Sequence, residues 1–319
     1  GLTIEHWIND GLMAVFFLLI GLEIERELYI GELNSVRRAA LPAIAAIGGM
    51  LAPAAIYAFF NAGTDTMSGF GIPMATDIAF AIGIMALLGK RVPPALKVFL
   101  VALAIIDDMG AIIIIALFYA TAISPLFLAA GALTFAVMLI LNRLEIKRVA
   151  PYLLLGAALW FFLLKSGIHA TIAGVLTAFA VPFGDGGESS PSYRLQHLLH
   201  LPVGFVIMPL FALANTCIPV SAEHILPVIN PLTLGIVAGL TIGKPLGIVT
   251  CSLAAVKAGI ARMPERAGAA HILGAGMLAG IGFTMSIFIA ILAFESTASP
   301  AGASPWNRKR GSCGFLRRR

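Results

Sequence analysis

An all-α integral membrane protein is the fold class this sequence predicts, and three observations predict it. Hydrophobic residues make up 59% of the 319 and charged residues only 12%, about half the charged fraction of a soluble domain. Mean hydropathy is +0.96, and apolar runs of about 20 residues, the length a helix needs to cross the hydrocarbon core, recur along the chain. The runs are continuous rather than alternating. A closed barrel, the other way to satisfy backbone groups in lipid, is therefore excluded.

Ten spans follow, at about 11–30, 39–60, 72–88, 95–120, 124–141, 150–165, 168–183, 198–217, 231–256 and 268–294. The first opens after Ile8-Asn9-Asp10 and ends on Glu23, Arg26 and Glu27. The third carries its own break. Pro73 and Thr76-Asp77 are helix-start chemistry, since Thr and Asp cap exposed N–H groups and Asp favours the positive end of the helix dipole. Such a signal inside an apolar run implies an interrupted helix. The last span is broken in the same sense at LAGIGFTMSIF, where Gly280 and Gly282 flank Ile281. Links are short, and the longest polar one, Gly184 to Gln196, is expected to be a flexible loop.

Basic residues set the orientation. Alternate loops carry Arg26, Arg37 and Arg38; Lys90, Arg91 and Lys97; Arg143, Lys147 and Arg148; Arg194; and Lys257, Arg262 and Arg266. The opposite loops carry only Lys165, so thirteen stand against one and the first set is cytoplasmic. Residues 1–294 form the transporter-like domain. A basic tail, 295–319, follows no helix pattern and is expected to be irregular.

Several function classes fall away. The net charge of +5 is scattered over short loops, which excludes a nucleic-acid surface. Cys217, Cys251 and Cys313 lack metal-ligand spacing and read as packing residues. The six His show no HExxH pattern, so no cofactor is expected.

The informative residues are ionisable groups within apolar spans, each costing about 2.5–3.5 kcal/mol on insertion scales. Asp107 and Asp108 lie near the middle of VALAIIDDMGAIIIIALF. Neighbours on a helix point about 100° apart, so one carboxylate can face a hydrated path while the other reaches a partner. Two carboxylates this close in a low dielectric do not both ionise readily. Such a pair holds a proton near neutral pH and surrenders it to a hard cation, for which oxygen ligands are suited. Lys244, in GLTIGKPLGI, needs a counter-charge at this depth, and one of the paired aspartates can supply it. The bland alternative is a lysine snorkelling from a span end.

Segments MATDIAFAIG, ALAIIDDMGAIIIIALFY, GIHATIAG, IGKPLGI and GIGFTMSIFIA, together with Ile8 to Asp10, closely resemble the NhaA family of sodium/proton antiporters. The resemblance runs from Trp7 to about Phe294. It implies a helical bundle of inverted repeats in which two interrupted helices cross. A pair of broken spans in separate halves also marks the substrate site of such transporters, a rule drawn in part from this same family. The family generally has twelve spans, and this chain is expected to lack the first and the last.

What the resemblance implies is specific. Asp108 is the principal ligand for Na+ or Li+, and Asp107 the proton-carrying neighbour that pairs with Lys244. Asp77 and Lys244 neutralise opposing helix ends where the unwound segments cross, with Thr76 beside Asp77 and Gly282 in the second break. Asp10 and His169 match residues linked to translocation or pH response, and Glu23, Arg26 and Glu27 match a charged pH-sensing cluster. An ordinary solvated helix end, and a histidine satisfied by backbone, are the alternatives for those last groups. Gln196 stands where the family's sensor usually has glutamate, so an altered pH threshold is expected.

The activity expected is pH-regulated, electrogenic exchange of Na+ or Li+ for H+ across the bacterial inner membrane, not enzymatic catalysis. Partners are the lipid bilayer and the ions, with a homodimer left open. A truncated, transport-inactive relative is the alternative. An intramembrane aspartyl protease draws its two Asp from different helices with a GxGD motif, which is absent here. A cation channel would not require a proton-competing pair with a lysine.

Overall fold

The computed structural model describes residues 7–89, 92–119, 123–216 and 230–295, and every regular element among them is helical. The basic tail after Glu295 lies outside the described residues. A π turn, Trp7–Leu12, leads into α1 (Met13–Tyr29), followed by α2 (Val36–Asn61) and a 3₁₀ helix, Met67–Met74. Then come α3 (Ile78–Leu87), α4 (Pro94–Phe118), α5 (Pro125–Arg143), α6 (Val149–Ser166) and α7 (Ile172–Ala180). Next, α8 (Pro191–Pro202) runs through a π turn, Val203–Ile207, into α9 (Met208–Thr216). Likewise α10 (Pro231–Ala238) continues through a π turn, Gly239–Gly243, into α11 (Lys244–Lys257). The described chain ends with α12 (Ala269–Ala279) and α13 (Phe283–Glu295).

Local chemistry explains the starts and stops. The Ser35 hydroxyl accepts the Arg38 N–H at α2, and the Asn230 side chain accepts the Thr233 N–H at α10. Proline stands in the first turn of α5, α8 and α10, where its missing N–H costs nothing. Gly167 closes α6 at φ +86°, in the left-handed region that favours glycine.

Among the described residues, eight helices or helix runs are long and apolar enough to cross a bilayer, and α12 with α13, bent by 50°, makes a ninth when the pair is counted as one span. The protein is a multi-pass membrane protein. Segment 168–183, expected as one of the ten spans, forms only the nine-residue α7. At 1.5 Å per residue that covers about half of the ~30 Å hydrocarbon core. The polar segment 184–196 also differs from expectation: after Ser190, Pro191 starts α8, so the helical run Pro191–Thr216 takes in residues assigned to the loop. Hydropathy missed this start because Ser192 to His197 is polar enough to read as a link.

The chain divides into two compact units. One comprises Gly1–Gly31 and Ile114–Cys217. In it α1 packs on α7 and α5 on α6, around Leu18, Leu22, Met138, Tyr152, Leu159 and Leu163. The α1–α7 approach is close because both helices offer glycine: a Cβ on Gly174 would run into the Ala14 carbonyl, and one on Gly21 into Ala178.

The other unit comprises Glu32–Ile113 and Ile218–Arg319. Here α11 packs on α2 and on α12, and a core of Leu41, Leu96, Leu100, Leu103, Ile248 and Ile272 fills the space beside them. Gly239, Gly243 and Gly247 recur every fourth residue and face α2 and the 3₁₀ helix. A Cβ on Gly247 would strike the Gly48 carbonyl, and one on Gly243 would strike Pro53. Backbone-to-backbone approach of this kind gives a membrane bundle its dispersion energy without a hydrophobic driving force. It also seats Lys244, one residue from Gly243, at 0% exposure.

Candidate functional site

The two breaks meet in the second unit. Residues 75–77 separate the 3₁₀ helix from α3, and residues 280–282 separate α12 from α13. The Asp77 N–H donates to the Ile281 carbonyl at 2.7 Å, and the Ser286 hydroxyl donates to the Ile72 carbonyl at 2.9 Å. Gly282 permits the crossing: a Cβ there would collide with the Ser286 hydroxyl and press on the Ala75 carbonyl. The interrupted, crossing helices expected from the sequence are present.

Interrupting helices in an apolar interior exposes partial charges at four ends, positive at the N-termini and negative at the C-termini. Asp77 serves both N-termini. Its Oδ1 accepts the Phe80 N–H at 3.1 Å at the start of α3, and its Oδ2 accepts the Thr284 N–H at 3.1 Å in the first turn of α13. The Thr284 hydroxyl donates to the same Oδ2. At the C-terminal ends the polarity reverses. Lys244 Nζ donates to the Met74 carbonyl, and the Thr76 hydroxyl lies 2.9 Å from the Ala279 carbonyl. An anion sits at the amide ends and a cation at a carbonyl end.

Lys244 also bridges to α4. Its Nζ is 2.7 Å from Asp107 Oδ2, and both side chains are fully buried. Asp107 Oδ2 is 2.7 Å from the Thr76 hydroxyl, whose single proton thus lies between two acceptors. Asp107 Oδ1 is buried with no hydrogen-bond partner among the described residues. Asp108, the next residue and about 100° around the helix, is 1% exposed. A buried ion pair, a spare carboxylate oxygen and a second buried acid make a site where a proton and a small cation can compete.

The sequence pattern of the Na+/H+ antiporter 1 family matches residues 1–304. This chain belongs to that family. Na(+)/H(+) antiporter NhaA 1 of Flavobacterium johnsoniae is 58% identical over 295 residues, covering 92% of this chain and 77% of that one. Na(+)/H(+) antiporter NhaA of Dechloromonas aromatica is 57% identical over 307 residues, 95% of this chain and 79% of its own. The NhaA antiporter of Vibrio campbellii is 56% identical over 300 residues, 93% and 77% respectively. Membership of the Na+/H+ antiporter 1 family makes the protein a transporter rather than an enzyme.

The remaining residues singled out in this antiporter's sequence lie in the first unit. Glu23 and Arg26 of α1 both meet α8: His200 Nδ1 is 4.0 Å from Glu23 Oε1, and the Arg26 guanidinium lies 5.4 Å from the Tyr193 ring centre. Glu27 lies one turn before Gly31 and packs against it. His169, in the turn before α7, directs Nε2 at the Tyr119 carbonyl at 2.7 Å, so that nitrogen carries the proton. Asp10 lies in the π turn before α1, half-buried.

Glu25, Thr284, Asn9 and Asn215 are buried polar residues that the sequence reading did not single out. Glu25 is 4% exposed and accepts the Ser192 hydroxyl at 3.1 Å. It continues the stripe of Leu18 and Leu22, and that spacing was the signal available for its burial. Thr284 completes the Asp77 cap from the far side of the chain. Asn9 and Asn215 form a buried amide pair; nothing local announced it.

Proposed function

We propose that this protein exchanges Na+ or Li+ for H+ across the bacterial inner membrane, electrogenically and under control of cytoplasmic pH. The observation that carries the reading is the buried Asp107–Lys244 pair, 2.7 Å apart, beside buried Asp108 where two broken helices cross. The names of the relatives, each a Na+/H+ antiporter, support it.

The chemistry follows from the donors. A carboxylate oxygen buried in a low dielectric is neutralised either by a proton or by a cation, and the two exclude each other at one lone pair. Asp108 is the proposed cation ligand. Asp107 carries the proton, releases Lys244 when it gains one and re-forms the ion pair when it loses it. At alkaline cytoplasmic pH both acids are deprotonated and Na+ loads; the loaded site then opens outward, where protons displace the ion. Asp77 has both oxygens committed to helix N-termini, which supports a role as neutraliser of the crossing rather than as a direct ligand. Thr76 steadies Asp107, and Gly282 allows the crossing to form.

Two acids serving one monovalent ion support movement of more protons than sodium ions per cycle. The membrane potential then drives the cycle, at about 2.3 kcal/mol per charge per 100 mV. Glu23, Arg26, Glu27 and His169 are the proposed pH-responsive groups. In everted vesicles, adding Na+ should collapse a respiration-driven pH gradient, and Asp108→Asn should abolish that response. Unchanged exchange by Asp108→Asn would overturn the assignment.

A further inference from the structure

Three π turns occur among the described residues, and two of them have a cause in the sequence. Val203–Ile207 ends two residues before Pro209, and Gly239–Gly243 ends two residues before Pro245. A proline inside a helix has no N–H to give and its ring collides with the carbonyl four residues back, here Phe205 and Thr241. Widening that turn by one residue relieves both problems.

Trp7–Leu12 has no such cause, since the first proline of the chain is Pro42. Contacts from elsewhere in the same unit grip this turn instead. Asn9 donates to the Asn215 side-chain oxygen at 3.3 Å and accepts from its amide at 2.8 Å, and Asn215 also donates to the Phe211 carbonyl at 2.9 Å. Both asparagines are at least nine-tenths buried. On the next residue, the Trp160 indole N–H donates to the Asp10 carbonyl at 3.1 Å. The Trp160 ring stacks on Trp7 with centroids 5.6 Å apart, and Gly11 leaves room for Trp7, whose ring a Cβ would approach to 3.3 Å.

We propose that the Asn9–Asn215 amide pair and the Trp160 indole form a clamp that imposes the π turn and so sets the direction in which the Asp10 side chain leaves the helix. Asn215 and Trp160 are then positioning residues for Asp10. The extra residue of a π turn is worth about 100° of rotation about the helix axis. Once the clamp is released, the turn relaxes toward ordinary helix and Asp10 swings to another face. That Asp10 takes part in ion exchange rests on the function proposed above; the clamp does not.

The test places a thiol at the position itself. Asp10→Cys is made in a chain whose Cys217, Cys251 and Cys313 are serine, and its reaction rate with a water-soluble methanethiosulfonate is measured. Trp160→Phe keeps a ring on Trp7 but removes the indole N–H; Asn215→Leu keeps the shape but removes the amide. Each should change the rate about tenfold or more, because thiol reactivity follows exposure and local environment. A second thiol, Glu188→Cys on an exposed loop, should react at the parental rate in both backgrounds. Parental rates at position 10 in both variants would overturn the clamp, and should Asn215→Leu fail to fold, Trp160→Phe decides alone. In the native-cysteine chain, Trp160→Phe should shift the pH profile of exchange in the same sense as Asp10→Asn and add nothing to it in the double variant. Additive shifts would show that Trp160 acts by another route and overturn its positioning role. Exchange by Asp10→Asn alone separately decides the role of Asp10.

Discussion

The amide and the hydroxyl of Thr284 both end on Oδ2 of Asp77, a residue 207 positions earlier in the chain. One carboxylate thereby holds the first turns of α3 and α13 together. Thr284→Val removes the hydroxyl donor and keeps the shape, and should cost about 1.5–3 kcal/mol, the range for a hydrogen bond to a charged group. Thr284→Ser should recover most of it. Thermal unfolding in detergent measures both, and a Thr284→Val protein as stable as the parent would remove the hydroxyl from the cap.

Lys244 and Asp107 should behave as a unit. Lys244→Met leaves a buried carboxylate without its cation, a loss of about 3–5 kcal/mol in comparable pairs. The double variant Lys244→Met/Asp107→Asn removes both charges and should regain most of that stability. Lowering the pH should also help the single variant, because a proton then replaces the missing ammonium. A double variant no more stable than the single one would mean that the pair contributes through shape, not charge.

Glycine substitutions should divide sharply by position. Gly247→Val drives a side chain into the Gly48 carbonyl and should displace α11, with overpacking costs of about 3 kcal/mol or more. Gly274, in the middle of α12, has nothing within 4 Å of its would-be Cβ. Gly274→Ala should therefore raise stability by up to ~1 kcal/mol through helix propensity. The comparison is read from melting temperatures and yields of monodisperse protein, and equal behaviour of the two variants would refute the helix crossing described.

Glu25 offers a fourth test. Ser192→Ala takes away a donor from a buried carboxyl group and should destabilise by about 1–3 kcal/mol. Glu25→Leu with Ser192→Ala should restore stability, since neither polar group is then left buried alone. If Ser192→Ala alone has no effect on melting, the pair does not hold α8 to α1.

What the sequence determined by itself was the part governed by local chemistry. Hydropathy located the spans, Thr76-Asp77 and Gly280 to Gly282 located the breaks, and Asp107, Asp108 and Lys244 announced themselves because charge in oil is costly wherever the helix points. It misjudged α7 and the start of α8, where a short apolar run and a polar helical one mimic their opposites in a hydropathy window. Tertiary structure alone decided the partners. That Thr284 completes the Asp77 cap, that Ser192 reaches Glu25, and that Asn215 reaches Asn9 depends on how each helix is rotated and where glycines let backbones touch. Helical periodicity names the face a residue lies on, but only the packing of one helix against another decides what that face meets.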